Sequence, residues 1–135
     1  MGPEGASDPT TTIIVPADLR FLEVIRCSVR IALAGSGCDA GCTSDLQLAC
    51  DEIGGMLITS ARMPGDLELA VTEDGLDAYV RMTVPVAASG FRPPVPDLTR
   101  MLLDATADSY EVRTDGEALV GVIQREIASN PRQRS

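Results

Sequence analysis

The sequence predicts an α+β protein folded as a two-layer α/β sandwich, with helices gathered on one face of a mixed, mostly antiparallel sheet. Three observations predict it. Apolar residues recur at helical spacing in three segments and at every second residue in others. These segments run strand, two helices, two or three antiparallel strands, a helix and two closing strands. At 135 residues the chain is one domain, and a compact fold of that size buries roughly two-thirds of its extended surface, enough for a core without a metal or disulfide staple.

Residues 1–10, MGPEGASDPT, are rich in Gly, Pro, Ser and Asp and have no apolar face to bury, so they read as a disordered tail. The folded domain is expected over 11–127, with a polar tail over 128–135. Thr12 to Val15 is a β-branched run ended by Pro16, a strand signal. From Asp18 the period becomes helical: Leu22, Ile25, Val29 and Leu33 form one stripe, with Arg20, Glu23, Arg26 and Arg30 largely off it. Gly35 and the loop SGCDAG should stop this helix.

Ser44 and Gln47 have the spacing of a capping box for the next helix. Leu46, Ala49, Cys50, Ile53, Leu57 and Ala61 continue it. Gly54 and Gly55 interrupt its interior, where each costs about 1 kcal/mol relative to alanine, which points to a close backbone approach there or a relic of one. Met63, Pro64 and Gly65 end the segment.

Leu67, Leu69 and Val71 then alternate with polar residues, Glu73-Asp74-Gly75 turns the chain, and Ala78, Val80, Met82 and Val84 form one face of the paired strand. Three prolines after Phe91 deny PVAASGFRPPVP regular structure. Asp97 starts a third helix through Leu98, Leu102 and Ala105, Ser109 to Arg113 is a strand, Asp115-Gly116 a turn, and Ala118 to Ile127 the last strand.

Composition narrows the function. The chain has no histidine and no lysine, and its 11 arginines face 20 acids for a net charge of −9. Histidine catalysis and histidine-ligated metals are excluded. An acidic surface repels nucleic-acid backbones and anionic membranes and suits a basic protein partner. Phe21, Phe91, Tyr79 and Tyr110 are the aromatics, a poor supply for stacking on bases. No signal peptide or membrane-length apolar run is evident, so the expectation is a cytoplasmic chain. Cys38 and Cys42 could hold a metal or pair, but with no CxxC and no histidine the four cysteines read as unlinked reduced thiols and no metal site is expected.

The segment LACDE at Leu48 to Glu52, with the opening strand, the arginine-bearing helix, the hairpin and the A-D-x-Y-x-V unit at Ala107 to Val112, resembles the bacterial anti-sigma factors of the serine-protein kinase type. These belong to the Bergerat-fold, histidine-kinase-like ATPase superfamily, and the resemblance spans Ile13 to Ile127. In that family the second helix reads approximately L-A-V-x-E-A-x-x-N-x-x-x-H-A. Leu48, Ala49 and Glu52 match, while Met56 stands on the asparagine and Ser60 on the histidine.

The resemblance implies that the asparagine position ligates the Mg²⁺ bridging the ATP phosphates and that Glu52 keeps the position of the catalytic base. A thioether is a poor ligand for that hard cation. The family's D-x-G-x-G box falls on Val86, Ala88 and Gly90, and Val86 has no acceptor for adenine. The phosphate-binding Gly-x-Gly falls near DLTRM at Asp97 to Met101, which has no glycine and opens with an acid.

Three parts of one nucleotide site are thereby altered together, so neither ATP nor Mg²⁺ is expected as a cofactor. The resemblance further implies homodimers, stress-response partner switching, and a sigma-factor contact through an arginine of the first helix. Arg26 best matches that arginine; an ordinary surface salt bridge is its alternative role. The expectation is an anti-sigma factor that sequesters a sigma factor, is released by an anti-anti-sigma partner, and is not an enzyme. The alternatives are an active ATP-dependent serine-protein kinase acting on the antagonist, in which ATP and Mg²⁺ are cofactors, and a regulatory binding module for another signalling protein.

Overall fold

The structure is a computed structural model that describes residues 10–86 and 91–127. The two expected tails, apart from Thr10, lie outside the described residues. Thr10 already belongs to the first strand, β1 (Thr10–Pro16). A 3₁₀ turn at Leu19–Phe21 leads into α1 (Leu22–Ala32), followed by α2 (Ala40–Ser60), β2 (Asp66–Glu73), β3 (Asp77–Pro85), α3 (Asp97–Thr106), β4 (Ser109–Asp115) and β5 (Ala118–Glu126).

The sheet has five strands in the order β1-β2-β3-β5-β4. Every pairing between neighbours is antiparallel, so the mixed component expected from the sequence is not observed. The reason is topological. β3 and β4 point the same way, but the β4–β5 hairpin folds back so that β5 sits between them and keeps them from pairing in parallel.

Register puts the alternating residues on defined faces. Ile13, Leu69, Met82, Gly121 and Val112 form one row across all five strands beneath the helices. Thr12, Ala70, Arg81, Val122 and Glu111 form a row on the opposite face. The helical layer covers the first face: α2 lies against β3 and β5, with α1 and α3 packed on α2. The core is aliphatic, with Ile25, Leu46, Ile53, Leu57, Leu67, Met82, Leu103 and Ile123 buried. Gly121 is required where α2 crosses β5, because a Cβ there would strike Ile53 Cγ2.

The apolar stripe of α1 is as expected: Ile25, Val29 and Leu33 are buried, and Leu22 packs against them. Its start is displaced, since Asp18 caps the 3₁₀ turn by accepting from Arg20 N at 2.9 Å. The helix ends at Ala32, and Gly35 turns the chain with φ 85°.

The expected Ser44–Gln47 capping box is incorrect. α2 starts at Ala40 because Asp39 Oδ1 accepts from Cys42 N at 2.8 Å, satisfying a first-turn amide and placing the cap upstream of the expected Ser44. Ser44 lies inside the helix, and Gln47 Nε2 donates to the Arg26 carbonyl instead.

The thiol expectation is also corrected. Cys38 and Cys42 are joined as a disulfide with Cα atoms 5.3 Å apart, leaving Cys27 and Cys50 free. The early start of α2 is the physical reason: Cys42 falls in its first turn and Cys38 just before its Asp39 cap, with the Cα atoms in bonding range. Gly54 explains the close approach inferred from sequence, since a Cβ there would lie 3.1 Å from Leu22 Cδ2 and 3.5 Å from Met82 Sδ. Gly55 has open space around it. No helix among the described residues is long and apolar enough to cross a membrane.

Candidate functional site

The helix α2 positions most of the candidate residues. Glu52, Met56 and Ser60 are spaced four apart, so they share one face of the helix. All three are half-buried, and Met56 packs against the core cluster. Two elements approach this helix. The chain leaving β3 bridges to its end through Ala61 and Val86, and α3 packs alongside.

Val86 itself is buried, and its N–H donates to the Glu117 carbonyl at 2.9 Å. Its backbone donor is thus consumed by the fold, and its side chain carries no polar atom. Ala88 and Gly90 lie outside the described residues. At the start of α3 the N-cap is Pro96, with no side-chain capping bond, and Asp97 is exposed and pairs with Arg100 Nη1 at 3.2 Å. A thioether at Met56 and hydrocarbon at Val86 therefore occupy the positions where the resemblance calls for oxygen donors. Mg²⁺ favours octahedral oxygen, which the thioether at Met56 does not supply.

Arg26 has a partner the sequence did not reveal. Its Nη1 donates to Asp51 Oδ1 at 2.8 Å and Oδ2 at 3.1 Å, and its own carbonyl accepts from Gln47 Nε2 at 2.9 Å. Both contacts reach from α1 to α2, so Arg26 is a tie between two helices. Hydrogen bonding to Asp51 pushes the guanidinium pKa further above its ordinary value, so its charge is permanent. The side chain remains 37% exposed, enough for a second carboxylate to approach it from solvent. The salt-bridge role expected as the alternative for Arg26 is thus present.

The structure brings Glu52, Met56, Ser60 and Val86 to neighbouring elements but places Arg26 on the other flank of α2, towards α1. Sequence reasoning missed Asp51, Gln47 and the Asp39 cap. An aspartate immediately before Ala40 was the available signal for the cap; a contact between residues 25 positions apart left none. Two open grooves lie elsewhere: one of about 400 Å³ at the sheet end beside Asp66, Glu68 and Asp115, and one of about 560 Å³ between Pro93, Pro94 and Tyr110.

No family model matches the chain, and no curated relative matches it. Among solved structures, the crystal structure of the RsbU and RsbW domains of Rv1364c from Mycobacterium tuberculosis is similar, with a TM-score of 0.68 and 14% sequence identity. The likeness covers 90% of this chain and 33% of that one, so the present chain spans about a third of that structure's length. The fold is shared. The five-stranded sheet under three helices is therefore the two-layer α+β sandwich anticipated from the sequence.

Proposed function

We propose that this chain is an anti-sigma factor that holds a sigma factor by protein–protein contact, is released by an anti-anti-sigma partner, and works without productive use of ATP. The fold shared with a structure containing an RsbW domain supports the partner-switching setting. The observation that carries the nucleotide-independent part is Met56. A thioether packed against the core stands beside the retained Glu52, and Val86 at the β3 exit is buried with its N–H already bonded to Glu117. Without a metal–phosphate complex Glu52 has nothing to activate.

On this reading Arg26 contributes a charged contact to the sigma factor, the acidic surface favours a basic partner, and the chain forms a homodimer. Copurification from the native host at low salt tests it. The expected outcome is a sigma factor or its antagonist bound to the wild type, with retention of the sigma factor reduced at least tenfold by Arg26→Glu. Recovery of neither protein contradicts the proposal; recovery with unaltered binding by Arg26→Glu removes Arg26 from the interface.

A second reading, an active serine-protein kinase, is favoured by one observation: Glu52 is half-buried and not paired away, since the neighbouring Asp51 is the residue that binds Arg26. Transfer of radiolabelled phosphate from ATP to a copurifying antagonist would establish it.

A further inference from the structure

The outward side of α3 has an organisation that its packing does not use. Thr99, Leu103 and Thr106 are its buried residues. Leu98 and Met101 are 67% and 66% exposed, and Ala105 is exposed as well. At 100° per residue these three fall within one narrow stripe, well away from the buried side. Asp97 and Asp104 form a second stripe immediately beside it, both exposed. Arg100, itself exposed, lies on the far side of the carboxylate stripe from the apolar row, with Nη1 paired to Asp97 at 3.2 Å and Nη2 directed to the Val95 carbonyl at 3.4 Å, so Asp104 is the carboxylate of the stripe that no basic residue holds among the described residues.

An apolar row bordered on one side by carboxylates is the complement of an amphipathic helix with an apolar row bordered by arginine or lysine. We infer that the Leu98–Met101–Ala105 face of α3 is a docking surface for a basic amphipathic helix of a protein partner. Charge selects this occupant. An anionic bilayer surface would be repelled by Asp97, Asp104 and the net charge of −9, and a second copy of the same face would set aspartates against aspartates. The surface is separate from Arg26, because α1 and α3 are distinct elements that each pack on α2. The inference stands whether or not the partner is a sigma factor.

The probe is a synthetic 18-residue helix with a leucine row flanked by arginines, compared with a scrambled peptide of the same composition and with a version carrying glutamate for arginine. Binding is read by fluorescence anisotropy and mapped by amide chemical shifts. The amphipathic basic peptide should bind at least tenfold more tightly than either control and shift the amides of Leu98, Met101, Asp104 and Ala105. Met101→Asp should weaken it at least tenfold, and Asp104→Arg should weaken it and reduce its salt dependence. Both positions are exposed, so these variants fold.

Equal binding of the scrambled peptide, shifts centred on another element, or indifference to Met101→Asp would overturn the inference. So would concentration-dependent self-association abolished by Met101→Asp, which would make a second copy the occupant. Because the peptide assay uses only purified protein, its failure leaves the copurification result standing, and the reverse.

Discussion

At the residue scale, the four cysteines divide by environment. Cys38 and Cys42 are bonded to each other, Cys27 is half-exposed, and Cys50 is fully buried, where desolvation and then the charge of Asp51 push its thiol pKa far above the ordinary value. The native protein should react with iodoacetamide at Cys27 alone, unfolding should add Cys50, and prior reduction should add the last two. Mass spectrometry of the labelled protein checks the order; four equivalents on unfolding without reductant would contradict the disulfide.

Asp74 supplies a pH dependence. Its Oδ1 accepts from Asp77 N at 2.7 Å and Leu76 N at 2.9 Å, and these bonds lower its pKa below 3.8 in the folded state. A lowered folded value contributes stability that is present above the unfolded pKa and lost as pH falls through the folded one. The melting-temperature difference between wild type and Asp74→Ala should therefore be largest near neutral pH and shrink in acid below that value. A difference that grew on acidification would show that the turn does not bind the carboxylate.

At the element scale, the helix–sheet contact depends on the absence of a side chain at Gly121. Gly121→Ala would press a methyl against Ile53 under the centre of α2, and overpacking of this kind costs about 1–3 kcal/mol. Urea unfolding should register that loss, and Gly121→Ala with Ile53→Val should recover part of it. Full stability of the single variant would mean that α2 does not sit against β5 as described.

The elements themselves were largely legible because each leaves a periodic trace. Ile25, Val29 and Leu33 keep a helical beat, while Ala78, Val80, Met82 and Val84 alternate. What was not legible was long-range. Ser44 and Gln47 imitate a cap by spacing, yet Gln47 serves Arg26 across the helix pair, and Asp39 takes the capping role. The same early start brings Cys38 to Cys42, which a Gly-rich stretch read as loop could not disclose. The insertion of β5 between β3 and β4 is a pairing choice made by burial of whole faces, and no local pattern records it.

At the scale of the whole molecule, the sandwich carries a helix layer whose outward sides are unequal. α1 holds Arg26 in an ion pair with Asp51, α2 carries Glu52 beside Met56, and α3 exposes Leu98 and Met101. The candidate site was legible where it rests on residue type: a sulfur at position 56 and a hydrocarbon at position 86 are stated by the sequence outright. The pairing of Arg26 with Asp51 was not, because it depends on how two helices lean together.

We propose that this scaffold acts by binding proteins and has no productive Mg–ATP site. Isothermal titration calorimetry of the purified protein with ATP and Mg²⁺ tests it most directly. The account predicts no saturable heat up to millimolar nucleotide, a dissociation constant weaker than about 1 mM, or about −4 kcal/mol. A saturable heat with a micromolar constant, dependent on Mg²⁺, would contradict it.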